Sequence, residues 1–230
     1  MKPLPILAAL LMPLAALAQT TILVTNNSDR YHAKITAIPC EGNECSGEAK
    51  IQLLEKERNR AVQSFTAKRM VVRLDSNRQK GDKQAVPAEG EHPLIFDDFN
   101  FDGEEDVAIR NGNNGSYGGP SYDVYVYNKD RKAFTPDKGL TRLASENLGM
   151  FETDRRRRQL TVRQKDGCCR RTTIVYGMNA AGKLAKVEEV TEDTTGGGDM
   201  VTVTISQITN GRMKKTIKHY KASEYYKNEQ

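Results

Sequence analysis

Apolar residues recur along this chain in short runs, not in long helical stripes. Residues 21–25 and 31–38 are rich in β-branched and apolar side chains, and the turn formers Asn26, Asn27, Ser28 and Asp29 separate them, which predicts a strand pair. Residues 50–55 and 61–66 bracket the charged stretch 56–60 and suit a hairpin, with a helix through 53–61 as the open alternative. Further short strands are predicted at 70–74, 93–96, 107–110, 122–127, 159–164, 171–176, 184–190 and 200–208, each bounded by turn chemistry. Strands of this length and spacing imply an all-β, antiparallel fold, built as a sandwich, a barrel or a propeller-like array. Between them, residues 76–91 are polar, contain Gly81, Pro87 and Gly90, and show no apolar period, so they read as a loop. The polar residues 221–230 are expected to fray.

The first eighteen residues break this pattern. A cationic stub, Met1-Lys2, precedes an apolar run over residues 4–14 and the small-residue triplet Ala16-Leu17-Ala18, the layout of a secretory signal peptide cleaved after Ala18. The run is too short to span a bilayer of roughly 30 Å as a helix. Gln19 stands where a lipoprotein would carry cysteine, so the expected product is a soluble periplasmic domain over residues 19–230, without a membrane anchor. Removal of Lys2 lowers the formal charge of +5 by one, and what remains is uneven. Acids dominate residues 91–109, whereas Arg155, Arg156, Arg157, Arg158, Arg163, Lys165, Arg170 and Arg171 crowd the region that follows. Such a basic run either meets an anionic surface or, more commonly, solvates a turn.

Export makes disulfides the first expectation for Cys40, Cys45, Cys168 and Cys169. Adjacent cysteines lack the spacing of a zinc site. Of the three connectivities, the local pairs Cys40 with Cys45 and Cys168 with Cys169 are favoured, and long-range links compete.

The segment from Asp97 to Asp106 carries candidate chemistry. Asp98, Asn100, Asp102 and Asp106 offer side-chain oxygens, Glu104 offers its backbone carbonyl, and Gly103 permits a sharp turn. An all-oxygen set without His or Cys suits a hard cation, which points to Ca²⁺ in a structural role. No basic residue lies within the segment, so converging acids would repel one another unless a metal neutralised them. The twelfth position counted from Asp98 is Ile109 rather than a glutamate, which excludes an EF-hand. The D-x-N-x-D-G-x-x-D spacing running into a strand resembles the calcium loops of FG-GAP and VCBS repeats.

Residues 111–122 follow directly, with four glycines, a proline, hydroxyls and aromatic rings. Two arrangements are open: a projecting probe, or a long hairpin turn with Tyr117 folded back on the surface. The run D-F-N-F-D-G-E-E-D-V-A-I-R-N-G-N-N-G-S-Y-G-G-P-S-Y-D-V-Y from Asp98 to Tyr125, with the later D-G-C-C-R, resembles a family of periplasmic calcium-binding β proteins. That family includes inhibitors, or immunity proteins, of lysozyme-like peptidoglycan hydrolases injected by bacterial secretion systems. The resemblance covers most of residues 50–190. It implies a propeller-like β fold, and a loop that enters the hydrolase cleft. The loop's partner-binding role would fall to Ser116, Tyr117, Gly118, Gly119, Pro120, Ser121 and Tyr122.

Catalysis is not expected. His32, His92 and His219 have neither zinc nor triad-like spacing, and there is no nucleotide fingerprint or nucleophile elbow. Gly196-Gly197-Gly198 lacks the lysine and helix of a phosphate loop, and no nucleic acid is expected as a partner. The alternative to an inhibitor is a non-catalytic cell-envelope or adhesin-like binding module stabilised by Ca²⁺.

Overall fold

The computed structural model describes residues 20–25, 28–76, 84–179, 182–209 and 211–228. The expected signal peptide and its cleavage point lie outside the described residues, as do residues 77–83 of the expected polar loop. The chain forms three antiparallel sheets stacked face to face, a sandwich-like arrangement without a closed barrel.

The first sheet contains β1 (Thr21–Val24), β2 (Tyr31–Thr36), β3 (Cys40–Glu41), β4 (Glu44–Glu55), β5 (Arg60–Arg73) and β6 (Gln84–Ala85). Its order is β3-β4-β2-β1-β6, with β5 paired to β4. Period-2 patterning sets its faces: Tyr31, Ala33 and Ile35 of β2 point inward and alternate with half-exposed His32, Lys34 and Thr36. The helical alternative for 53–61 is not taken, because Leu53 and Leu54 both find buried places in β4 and the charged stretch makes the hairpin turn. The runs expected at 61–66 and 70–74 merge into one long β5. A departure from the antiparallel rule is β1 beside β6, which is parallel.

The middle sheet contains β7 (Leu94–Asp97), β8 (Asp106–Gly112), β9 (Ser121–Asn128) and β10 (Ala133–Pro136), in the order β10-β9-β8-β7. It is covered on both sides, which explains the unbroken apolar run Val107-Ala108-Ile109. Val107 and Ile109 pack with the first sheet, whereas Ala108, Tyr122 and Val124 pack with helix α1 (Lys138–Ser145) and the third sheet. Asp137 caps α1 by accepting from the Leu140 amide at 2.9 Å, and the helix buries Leu140 and Ala144.

The third sheet is a meander of β11 (Glu152–Asp154), β12 (Gln159–Asp166), β13 (Arg170–Met178), β14 (Leu184–Asp193), β15 (Met200–Thr209) and β16 (Arg212–Lys221). The expected fraying of the C-terminus is corrected as far as residue 228. Helix α2 (Ala222–Tyr225) and the turn after it bring the Tyr225 and Tyr226 hydroxyls to the Glu192 carboxylate, at 3.0 and 3.5 Å. Both disulfides are local: Cys40 pairs with Cys45 across β3 and β4, and Cys168 pairs with Cys169 at the tip of the β12–β13 hairpin. Among the described residues no helix is long and apolar enough to cross a membrane.

Candidate functional site

The turn between β7 and β8 keeps an alternating pattern although it is not a strand. Phe99 and Phe101 are buried, and Phe99 meets Phe151 edge to face at 5.3 Å, while Asp98, Asn100 and Asp102 lie on the outer side. Two phenylalanines thus fasten the polar side of the loop to the second core. The backbone turns through left-handed conformations at Phe101 (φ 61°) and Gly103 (φ 87°). Side-chain oxygens gather the freed amides: Asp98 accepts from the N–H groups of Asp102 (3.0 Å) and Gly103 (2.9 Å), Asn100 from that of Asp102 (3.0 Å), and Asp102 from that of Glu104 (2.8 Å).

Asp106 is fully buried and accepts three backbone bonds, from Phe99 (2.9 Å) and Asn100 (3.3 Å) at one oxygen and from Tyr127 (2.8 Å) at the other. It therefore ties the acidic loop to β9. Burial pushes its pKa up to about 7, against the pull of those same amide donors.

Cations surround this loop, contrary to the expectation that its acids stand unneutralised. Arg30 and Lys129 pair with Glu104 at 2.6 and 3.3 Å, Arg155 pairs with Asp97, and Arg158 donates to the Phe101 carbonyl at 3.1 Å. The basic run is thereby a clamp in the β11–β12 turn. Arg30, first among the causes, holds the Glu104 carboxyl below its ordinary value. Lys129 also donates to the Asp102 carbonyl at 3.2 Å, but among the described residues no ion pair reaches the carboxylates of Asp98, Asp102 or Asp106. The donor set is chemically that of a hard-cation loop; the Asp98 oxygens each accept one amide and keep a second lone pair, as does the Asp106 oxygen bonded to Tyr127, whereas the other Asp106 oxygen is taken up by two amides. The carboxylates are not drawn to a point, since among the described residues no three Asp, Glu, His or Cys side chains form a metal-holding group.

The glycine-rich loop leaves β8 and returns into β9 as a built structure. Arg110 reaches Glu91 and Asn113, both at 2.8 Å, and Ser121 joins Asn111 (2.6 Å) to the Asn114 amide (3.1 Å) beneath the loop. Higher up, the Ser116 amide and hydroxyl donate to the carbonyls of Asn147 (3.0 Å) and Glu146 (3.1 Å), just after α1. Gly115 lies against this segment so closely that an added Cβ would sit 2.9 Å from the Gly119 carbonyl and 3.1 Å from that of Asn147.

The crest is Tyr117. Its side chain is 66% exposed and its backbone is left-handed at φ 58°, a costly conformation for a bulky residue that the surrounding hydrogen bonds enforce. The Gly167 amide, at the turn of the disulfide-bearing β12–β13 hairpin, donates to the Tyr117 hydroxyl at 2.8 Å, and the Lys165 ammonium lies 5.6 Å over the ring. With its oxygen so engaged, the phenol retains its own proton for an outside acceptor.

Of the residues expected to meet a partner, Ser116, Tyr117, Gly118, Gly119 and Pro120 form the accessible crest. Ser121 and Tyr122 do not: their side chains are 0% and 4% exposed, because β9 begins at Ser121 and turns both into packed surroundings. The supports in residues 146–147 and 165–167 lie far from the loop in sequence. Only the unusual D-G-C-C turn hints at the second of them.

No family model matches the chain, and no curated protein does. A solved structure of a Xanthomonas type IV secretion system related protein is similar to it, with a TM-score of 0.59 and 21% identity over 84% of this chain and 92% of that one. At that identity the likeness establishes a shared fold.

Proposed function

We propose that the protein is a periplasmic calcium-binding inhibitor of a lysozyme-like peptidoglycan hydrolase, and that the crest from Ser116 to Pro120 blocks the enzyme's cleft. The observation that carries this reading is Tyr117, a large exposed aromatic held in an unfavourable backbone conformation on a loop fixed at several points. A rigid aromatic on a preordered loop loses little conformational entropy on docking, which is what a binding hot spot requires. The family resemblance of residues 98–125 supports the reading, as does a shared fold with a protein related to a secretion system.

Lysozyme-type enzymes place a protonated carboxylic acid beside the scissile bond, with a second carboxylate across it. The Tyr117 hydroxyl, with its proton free, suits hydrogen bonding to those groups while the ring fills a sugar subsite; the Gly118 and Gly119 amides already donate to the Gly115 and Ser116 carbonyls and serve to hold the crest in shape. The enzyme is obstructed and not altered. Asp98, Asn100, Asp102, the Glu104 carbonyl and Asp106 are the ligands we assign to Ca²⁺, which would supply positive charge to the inner acids and stiffen the turn under β8. The test is a cell-wall lysis assay of the protein against a panel of muramidases, with and without chelator. Inhibition of at least one enzyme, weakened by chelation, is expected. Binding to isolated peptidoglycan without effect on any muramidase would favour the envelope-binding module instead.

A further inference from the structure

The third sheet carries a second surface that the inhibitory loop does not explain. Register makes Val162, Ile174, Glu189, Ser206 and Lys215 direct cross-strand neighbours in succession, so they share one face. At Val162 and Ile174 that face is sealed against the second core, but over β15 and β16 it runs past the core and lies open. Met200 (45% exposed), Ile208 (46%), Met213 (52%) and Ile217 (53%) all stand on it. The opposite face is covered at Val201 and Val203, which are buried on the side of Glu192 and the tyrosines of the C-terminal turn, and exposes Arg212, Lys214 and Lys218 on β16.

The charge on this hairpin has one sign. No acid occurs from Met200 to Lys221, whereas β16 carries Lys215 and Lys221 on the face of Met213 and Ile217, and Arg212, Lys214 and Lys218 on the other, so the basic side chains flank the hairpin on both sides. Among the described residues no ion pair reaches Arg212, Lys214, Lys215 or Lys218. Pairing of β14 with β15 ends at Glu188 and Gln207, so the end of the hairpin bearing Ile208 and Met213 is no longer bonded to β14. Lysines on an edge strand guard against unwanted strand addition, yet they give no reason for four aliphatic side chains on one open face.

We propose that this hairpin docks peripherally on a bilayer containing anionic phospholipid. The Ile208–Met213 tip enters the interface, and the basic side chains of β16 meet the headgroups while their aliphatic stems lie along the acyl boundary. A nucleic acid would call instead for several stacking aromatics, and among the described residues of β15 and β16 on this face His219 is the one ring beside the aliphatic side chains.

The test is vesicle co-sedimentation of the protein expressed without its apolar leader, using phosphatidylcholine vesicles with and without about one quarter phosphatidylglycerol at about 0.1 M salt. Binding to the anionic vesicles alone is expected, reduced at least about tenfold by Lys214→Glu with Lys215→Glu and about fivefold by Ile208→Ser with Met213→Ser. Both double variants keep the wild-type melting temperature, since the altered side chains are exposed. Failure of the wild type to sediment with anionic vesicles, equal binding to both vesicle types, or undiminished binding by the charge-reversed variant would overturn the proposal. So would self-association abolished by Ile208→Ser with Met213→Ser, which assigns the face to a second copy of the chain.

Discussion

Asp106 and Tyr117 make opposite contributions. Asp106 is buried and internal, and its removal strips acceptors from three backbone amides, two of which start the acidic loop and one of which belongs to β9. Asp106→Ala is therefore expected to lower unfolding free energy by roughly 3 kcal/mol in denaturant titrations without calcium, given about 1–3 kcal/mol for each buried donor left unpaired, and by more in calcium, where a ligand is lost as well. Tyr117 is exposed and outward, so Tyr117→Ala leaves the melting temperature nearly unchanged while weakening binding to an inhibited hydrolase by roughly 2 kcal/mol, about thirtyfold. Tyr117→Phe separates ring from hydroxyl: if the phenol proton is used in the complex, Phe shows a loss smaller than that of Ala but measurable.

At the scale of elements, the crest over residues 116–120 belongs as much to its neighbours as to itself. Gly115 has no room for a methyl group beneath the Gly119 and Asn147 carbonyls, so Gly115→Ala should displace the crest and abolish inhibition, while circular dichroism reports an intact sheet structure. The β12–β13 hairpin is the other support. Replacing Cys168 and Cys169 by alanine loosens the turn that presents the Gly167 amide to Tyr117, and a several-fold weaker inhibition with unchanged secondary structure is the expected result. These elements also show how far the sequence could be read. Strands with alternating faces, such as β2, or with apolar cores between turns, such as β8, are legible because local pattern and burial agree. Helix α1 is not, since its eight residues bury only Leu140 and Ala144 and its start is marked by a single capping aspartate. The acidic loop is legible from its spacing, but its ring of arginines and lysine comes from three distant places in the chain. The family resemblance extends the partner-binding loop to Ser121 and Tyr122, but pairing with β8 begins β9 at Ser121 and takes both out of the crest.

On the scale of the whole molecule, the middle sheet joins two cores, and the acidic loop sits where it meets the third sheet and the β1–β2 turn. Ser28 donates to Glu105 at 2.6 Å and Arg30 reaches Glu104, so the loop is linked to the first sheet as well as to the second core. A cation bound there stabilises the native state as a whole. At about a hundredfold excess over its dissociation constant the gain is about 2.7 kcal/mol. Calcium should accordingly raise the melting temperature by about 5–10 °C in a chain of this size, and magnesium at the same concentration should do much less, because it demands stricter geometry and sheds water reluctantly. An unchanged melting temperature in millimolar calcium would remove the metal from the account. The most direct measurement of the central claim is the inhibition constant of wild type and Tyr117→Ala against the same muramidase, in calcium, by cell-wall lysis. The account predicts a value about thirtyfold weaker for the variant; equal constants, or no inhibition by wild type of any muramidase tested, would contradict it.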